Sequence, residues 1–195
     1  MSGIFKAYDI RGIYPEQLNE EIAEKIGRAF VEFTGAKKVV IGRDMRPHSE
    51  PLFHALAKGI TAQGADVIDL GLCSTPMSYH ANGALGADGS IMITASHNPA
   101  EYNGVKVFTE GGRDASKEVT NELEDYINSL TAADVTTMDF EEAKKAGLVE
   151  IVDPMNDYID SILSFVDIDK IKAKKLKILL DPMFGVSKTS LQTIL

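Results

Sequence analysis

The chain has 195 residues, 44% of them hydrophobic and 25% charged, which suits one sizeable soluble core and part of a second. Its formal charge of −9 argues against a general nucleic-acid binder but leaves a small phosphorylated ligand open, because a few local arginines can set the field of one cleft. A single cysteine, Cys73, excludes an intramolecular disulfide, no Cys and His cluster has zinc spacing, and neither a signal-peptide core nor a membrane-length apolar run is visible, so a cytoplasmic enzyme is expected.

Near the start, Tyr8-Asp9-Ile10-Arg11-Gly12 is rich in turn signals. An arginine there suits a bidentate phosphate contact or an ion pair with Asp9. Ile22, Ile26, Phe30 and Phe33 then follow helical spacing, with Asn19 as N-cap and Gly35 as stop. Lys38 to Gly42 reads as a buried strand, and Arg43, Asp44 and Arg46 after it are expected to brace a loop by satisfying one another. Ser49 is placed to cap a second helix through Leu52, Leu56 and Ile60, which Gly64 closes before a strand from Asp66 to Leu70. Cys73 reads as a small buried residue. Asp66, Asp69 and Asp88 flank strands and read as caps or turns, not metal ligands.

Pro76 opens a shorter helix toward Leu85, and a strand from Ser90 to Ala95 ends abruptly in Ser96-His97-Asn98-Pro99. Pro99 fixes its own φ and pushes Asn98 out of the helical region, so the turn presents the Ser96 hydroxyl on a rigid mount. The next strand, 104–109, follows too soon for a helical crossover and must run antiparallel if the two pair. A helix through Val119, Leu123, Ile127 and Leu130 completes the unit, and 131–145 reads as a polar linker. Beyond it come a helix through Tyr158, Ile162 and Phe165, a basic run from Lys170 to Lys177, a strand from Leu176 to Asp181 and the start of a last helix. The expected fold is therefore a three-layer α/β/α domain over 1–150, with a mixed, mainly parallel four-stranded sheet. Residues 151–195 are expected to form a linker helix and an incomplete second α/β unit, since one strand and two helices cannot bury a sheet. Gly185-Val186-Ser187-Lys188-Thr189 looks like the end of a P-loop, but Ser187 stands where the glycine belongs, and no nucleotide role is assigned.

Four segments in order resemble one family. Thr94-Ala95-Ser96-His97-Asn98-Pro99 is similar to the active-site serine loop of the α-D-phosphohexomutases. Ala7 to Gly12 resembles their N-terminal YDIRG motif, Gly42-Arg43-Asp44-Met45-Arg46 their GRD-x-R turn, and Tyr102-Asn103-Gly104-Val105-Lys106 their YNG-x-K segment. The resemblance implies a phosphomannomutase or phosphoglucomutase activity, in which Ser96 carries a phosphoryl group between the 1 and 6 positions of a hexose through a bisphosphate intermediate. It implies Mg²⁺, with one ligand from phosphorylated Ser96 and the others absent from this chain, and hexose 1,6-bisphosphate as activator. It assigns catalytic places to Ser96, His97 and Lys106, and phosphate or substrate contacts to Tyr8, Arg11 and Asn98. On residue chemistry alone His97 is equally a turn residue, and Lys106 a proton acceptor, a phosphate clamp or an exposed strand lysine.

The family's aspartate metal loop and downstream phosphate loop are not in this sequence, so the chain is expected to be an N-terminal portion of a larger, four-domain mutase. In isolation it is expected to be inactive and open to self-association through apolar surface near Ile178 and Leu180. Two other readings compete: a catalytically silent interaction module, and a phosphoglucosamine mutase. A serine hydrolase using Ser96 and His97 lacks the glycine-flanked elbow and an acid partner.

Overall fold

A computed structural model describes residues 3–6, 9–130 and 139–195. The first strand, β1 (Asp9–Ile13), leads to helix α1 (Glu20–Thr34), where Asn19 accepts from the Ile22 N–H and Gly35 turns left-handed at φ 65° to end it. Then follow β2 (Lys38–Arg43), α2 (Ser49–Ala62), β3 (Asp66–Leu72) and α3 (Thr75–Ala84), the last capped by the Ser74 side chain with Pro76 in its first turn. Strands β4 (Gly89–Ile93), β5 (Tyr102–Thr109) and the two-residue β6 (Arg113–Asp114) precede α4 (Lys117–Ser129). The chain closes with α5 (Phe140–Lys145), β7 (Val149–Ile151), α6 (Met155–Phe165), α7 (Ile168–Ala173) and α8 (Lys188–Ile194).

The sheet order is β1-β5-β4-β2-β3-β7, with β6 on β5. The four expected strands pair as expected: β2 runs parallel to β3 and β4, and β4 antiparallel to β5. The count of four is corrected to seven, and the added pairs make parallel and antiparallel pairings equal. Strand β1 carries an arginine and a glycine that read as turn residues, yet it lies antiparallel on β5 with Arg11 opposite Gly104. Gly104 is required at that crossing, because a Cβ there would stand 2.6 Å from the Thr94 carbonyl and 2.7 Å from that of Ile10.

Alternate residues of the central strands feed two cores, as the period of two demands. Val39 and Ile41 of β2 and Ile91 and Ile93 of β4 face α1, α2 and α4. Val40 and Met92 face α3 and the start of α6 through Met77, Ala81, Met155 and Tyr158. Cys73 lies in this second core, and burial pushes its thiol up to about 12, so it behaves as a small apolar residue. No helix among the described residues is long and apolar enough to cross a membrane.

Three further expectations are corrected. Ser49 does not cap α2: His48 holds the N-cap position and the Ser49 hydroxyl donates to Asp44. The expected linker carries α5, packed on α2, and continues into β7 beside β3, while 131–138 lies outside the described residues. The expected strand 176–181 is not formed: it has no ladder partner among the described residues, and Leu179 is 95% exposed. A strand exists by pairing, and local apolar content cannot replace a neighbour.

Helices α1 and α2 are joined by a charged cluster. The Glu24 carboxylate accepts from Arg28, whose side chain is almost fully buried, and from Lys58, each at 2.9 Å. Burial alone pushes the Glu24 carboxyl up, but those two hydrogen bonds and positive charges outweigh it and the net shift is downward. Its ionised form therefore stabilises the fold above the usual carboxylate value near 4.5, and the contribution fades as pH falls through the lower folded value. Glu24→Gln should remove about 1–2 kcal/mol at neutral pH, roughly 2–8 °C in Tm for a chain of this size, and flatten the loss of Tm below about pH 4.5. Parent and variant Tm falling in parallel on acidification would contradict this assignment.

Candidate functional site

The site grows from the C-terminal ends of the parallel strands β2 and β4, where open α/β sheets place their ligands. At the end of β4, Thr94 still pairs with β5 through its N–H on the Gly104 carbonyl, and its hydroxyl accepts from the Ser96 N–H at 2.9 Å. Ala95 is buried, and the chain then emerges at Ser96 and His97, both exposed. Ser96 adopts φ 56°, a left-handed conformation that is uncommon for a serine and costs of the order of 1 kcal/mol. Its hydroxyl is 3.4 Å from Nδ1 of His97, a long contact that leaves it turned to the cleft.

Arg11, on β1, reaches the same loop. Its Nη1 donates to Oδ1 of Asn98 at 2.9 Å and its Nη2 meets Oδ2 of Asp9 at 2.5 Å, which is the ion-pair reading of Arg11. Lys106 stands opposite Asp9 in the β1–β5 register, with its ammonium 3.4 Å from the same Oδ2. Two cations thus share one almost fully buried carboxylate beside a cleft of about 550 Å³ that Lys6, Asp9, Arg11, Gln17, Asn98 and Tyr102 help to line, and among those lining residues the cations Lys6 and Arg11 outnumber the one anion, Asp9. Such a cleft attracts an anion. Lys106 connects to the serine loop through Asp9, Arg11 and Asn98. Tyr8 lies outside the described residues.

A second cleft of about 570 Å³ is the one that Ser96 itself lines, together with Asp44, Arg46, Thr94 and Asn98 and with Phe184 and Val186 from the C-terminal segment. Among the described residues no group of three His, Cys, Asp or Glu could hold a metal ion. The carboxylate in this cleft, Asp44, is engaged by Arg46 at 3.2 Å and by the Ser49 hydroxyl at 2.8 Å.

Arg43 departs from the expectation that it shares Asp44. It runs to Asp69 at 2.6 Å and Glu50 at 2.5 Å and lies over the Phe53 ring, tying β2 to β3 and α2. Asp88 accepts the Lys37 and Lys38 N–H groups, a turn role as expected. Residue-level reasoning passed over His48 and Asn103. Asn103 uses Oδ1 for the Gly104 N–H, which leaves its Nδ2 to donate to Ser49 and to Nδ1 of His48, so Nε2–H of His48 donates to the Ala100 carbonyl at 3.0 Å. Tyr14 stacks on that imidazole, its hydroxyl donating to Glu20, a bond that raises the tyrosine pKa above its usual range.

Residues 2–134 match the family described as phosphoglucomutase/phosphomannomutase, alpha/beta/alpha domain I. Over 174 residues the chain is 41% identical to a phosphomannomutase of Escherichia coli K12, covering 89% of this chain and 37% of that protein. It is 36% identical to a phosphoglucosamine/phosphogalactosamine mutase of Sulfurisphaera tokodaii, covering 97% of this chain and 41% of the other. The crystal structure of a phosphoglucomutase/phosphomannomutase family protein from Burkholderia thailandensis superposes with a TM-score of 0.67 at 33% identity, over 83% of this chain and 35% of that one. The chain thus spans little more than a third of the length of these relatives.

Proposed function

Because this chain belongs to the phosphoglucomutase/phosphomannomutase family, we propose that it is the serine-bearing part of a phosphohexomutase that interconverts hexose 1-phosphate and hexose 6-phosphate. The observation that carries this reading is the exposed Ser96 hydroxyl on a strained, tightly bonded turn, in a loop whose Asn98 is held by Arg11 and borders a cleft that Lys6 and Arg11 also line. In this reading phosphorylated Ser96 is the donor: its Oγ–P bond breaks as a sugar hydroxyl forms a new O–P bond and releases its proton to a base. The resulting bisphosphate reorients and returns its other phosphoryl group to Ser96. Hexose 1,6-bisphosphate activates by loading the serine in the same way.

In this reading His97, beside the Ser96 hydroxyl, and Asn98, bonded to Arg11, bind phosphoryl oxygens, Arg11 supplies positive charge, and Lys106, paired with Asp9, serves as proton acceptor or charge clamp. Tyr8 is assigned to substrate on the resemblance alone. Mg²⁺ would neutralise charge on the transferring group. Among the described residues no group of side chains forms its site, and phosphorylated Ser96 would contribute one phosphate oxygen. Residues 1–150 are proposed as the serine domain and 151–195 as a linker helix and the start of a second unit, in a cytoplasmic enzyme. The match to an amino-sugar phosphate mutase over nearly the whole chain supports a second substrate class, glucosamine phosphates.

The native polypeptide carrying this sequence, incubated with glucose 1,6-bisphosphate, is expected to take up one phosphate at Ser96, read by mass spectrometry. Phosphate elsewhere, or none, would remove the basis of the reading. Interconversion assays with mannose, glucose and glucosamine phosphates then choose the substrate.

Leu179, Met183 and Phe184 are each at least 80% exposed, and residues 176–181 have no ladder partner among the described residues, which supports self-association of the 195-residue chain. Sedimentation equilibrium should show a dimer or larger at micromolar concentration, and Leu179→Asp with Phe184→Ser should return a monomer. A monomeric parent would end this proposal.

A further inference from the structure

The five N–H groups of the Arg46 guanidinium match five acceptors. Nη2 donates to the carbonyls of Ser96 at 3.1 Å and Asn98 at 2.8 Å, and Nη1 to those of Pro99 at 2.6 Å and Tyr102 at 2.9 Å. Nε donates to Oδ2 of Asp44 at 3.2 Å, and the other Asp44 oxygen accepts from the Arg46 N–H and from Ser49. The donor set is complete, so Arg46 has nothing left for a phosphate oxygen. Two more carbonyls of the loop are held from elsewhere: that of Ala100 by His48 at the start of α2 and that of Glu101 by the Tyr14 N–H just after β1.

The carbonyls of Ser96 and of every residue from Asn98 to Tyr102 are thus drawn toward the body of the protein, four of them onto one cation. Inside that wrap sits a serine at φ 56° with no glycine-like freedom. A strained conformation persists where its surroundings over-determine it, and here the over-determination comes chiefly from one side chain at the end of β2.

We propose that Arg46 is the positioning residue of the Ser96 loop: by gathering the carbonyls of Ser96, Asn98, Pro99 and Tyr102 it holds the left-handed serine with its hydroxyl presented to the cleft. Its consequence for catalysis rests on Ser96 being the phosphoryl carrier. Its consequence for the loop does not. A lysine offers three donors from one point and cannot reproduce a planar fork reaching five acceptors, so Arg46→Lys should fail nearly as badly as Arg46→Ala.

Two measurements separate these consequences. In the 195-residue chain, hydrogen exchange at the amides of Ser96, Asn98 and Tyr102, all bonded within the loop, should quicken about tenfold or more in both variants while Ile91 to Ile93 stay protected. Unchanged loop exchange overturns the proposal. In the native polypeptide, kcat should fall about 100-fold with KM held within about threefold, and added guanidinium ion should restore part of the loss in Arg46→Ala but not in Arg46→Lys. A loosened loop with normal kcat overturns the positioning role. If Arg46→Ala prevents folding, the lysine variant carries the test. Should Ser96→Ala retain full turnover, the mutase reading fails while the exchange result still decides what Arg46 does.

Discussion

Ser96→Ala should lower hexose-phosphate interconversion by at least about 1,000-fold in the native polypeptide while leaving its Tm within about 1 °C of the parent. The two halves of that expectation come from different features of the same residue. The Ser96 side chain is exposed and its one hydrogen bond, to His97, is 3.4 Å long, so removing the hydroxyl costs little folding energy. A mechanism that stores the phosphoryl group on that oxygen has no second carrier, because direct exchange between two sugar positions would require both ends of one hexose at the reacting centre together. Ser96→Gly sharpens the test: it relieves the φ 56° strain and should raise Tm slightly, yet be as inactive as the alanine variant. Turnover within tenfold of the parent in either variant, measured with glucose and mannose phosphates, would mean that Ser96 is not the carrier.

The central strands were legible because each is a short apolar run bounded by turn residues, and a strand buried on both faces leaves that mark. The direction of β5 was legible too, since the short loop after β4 excludes a crossover. Strand β1 was not. Its Arg11 and Gly12 are poor strand residues, and β1 exists because β5 supplies a ladder and because Asp9 and Asn98 hold the arginine. Segment 176–181 shows the opposite failure. It has a strong local strand pattern and forms none, because no strand among the described residues lies beside it to pair with it. Both errors share a cause: strand formation is a tertiary property.

The site divides along the same line. Ser96, His97 and Asn98 are adjacent in sequence and could be read as a unit, and Arg11 makes the ion pair with Asp9 that its neighbourhood offered while also reaching Asn98. The clamp on the loop was only half legible. A bracing role for Arg46 follows from a cation after a buried strand, but its acceptors are backbone carbonyls fifty or more positions away, and carbonyls carry no residue signature. His48 and Asn103 were hidden for a related reason, since each has meaning only when the other lies 2.9 Å from it.

Gly59→Val is expected to remove more than about 3 kcal/mol of stability, lowering Tm by roughly 6–12 °C, because α1 and α2 touch backbone to backbone. A Cβ on Gly59 would lie 2.1 Å from the Glu24 carbonyl, and one on Gly27 would lie 2.4 Å from the Leu56 carbonyl, so the two glycines open reciprocal notches. Neither obstacle is the end of a flexible side chain, so relief requires the helices to separate. The sign is the informative part. In a helix interior Gly→Ala ordinarily stabilises by up to about 1 kcal/mol, and Gly83 in the last turn of α3, with open space where its Cβ would go, should show part of that gain. Gly59→Ala should move Tm the other way. The loss should also reach the site: α2 begins at Ser49 beside His48, the two side chains that hold Asp44, Asn103 and the Ala100 carbonyl. Lifting α2 from α1 should therefore loosen the serine loop, and hydrogen exchange at Asn98 and Tyr102 should quicken in Gly59→Val at temperatures below its melting point. A normal Tm in this variant would show that the helices do not approach so closely, and with that the α2-side support of the loop would lose its physical basis.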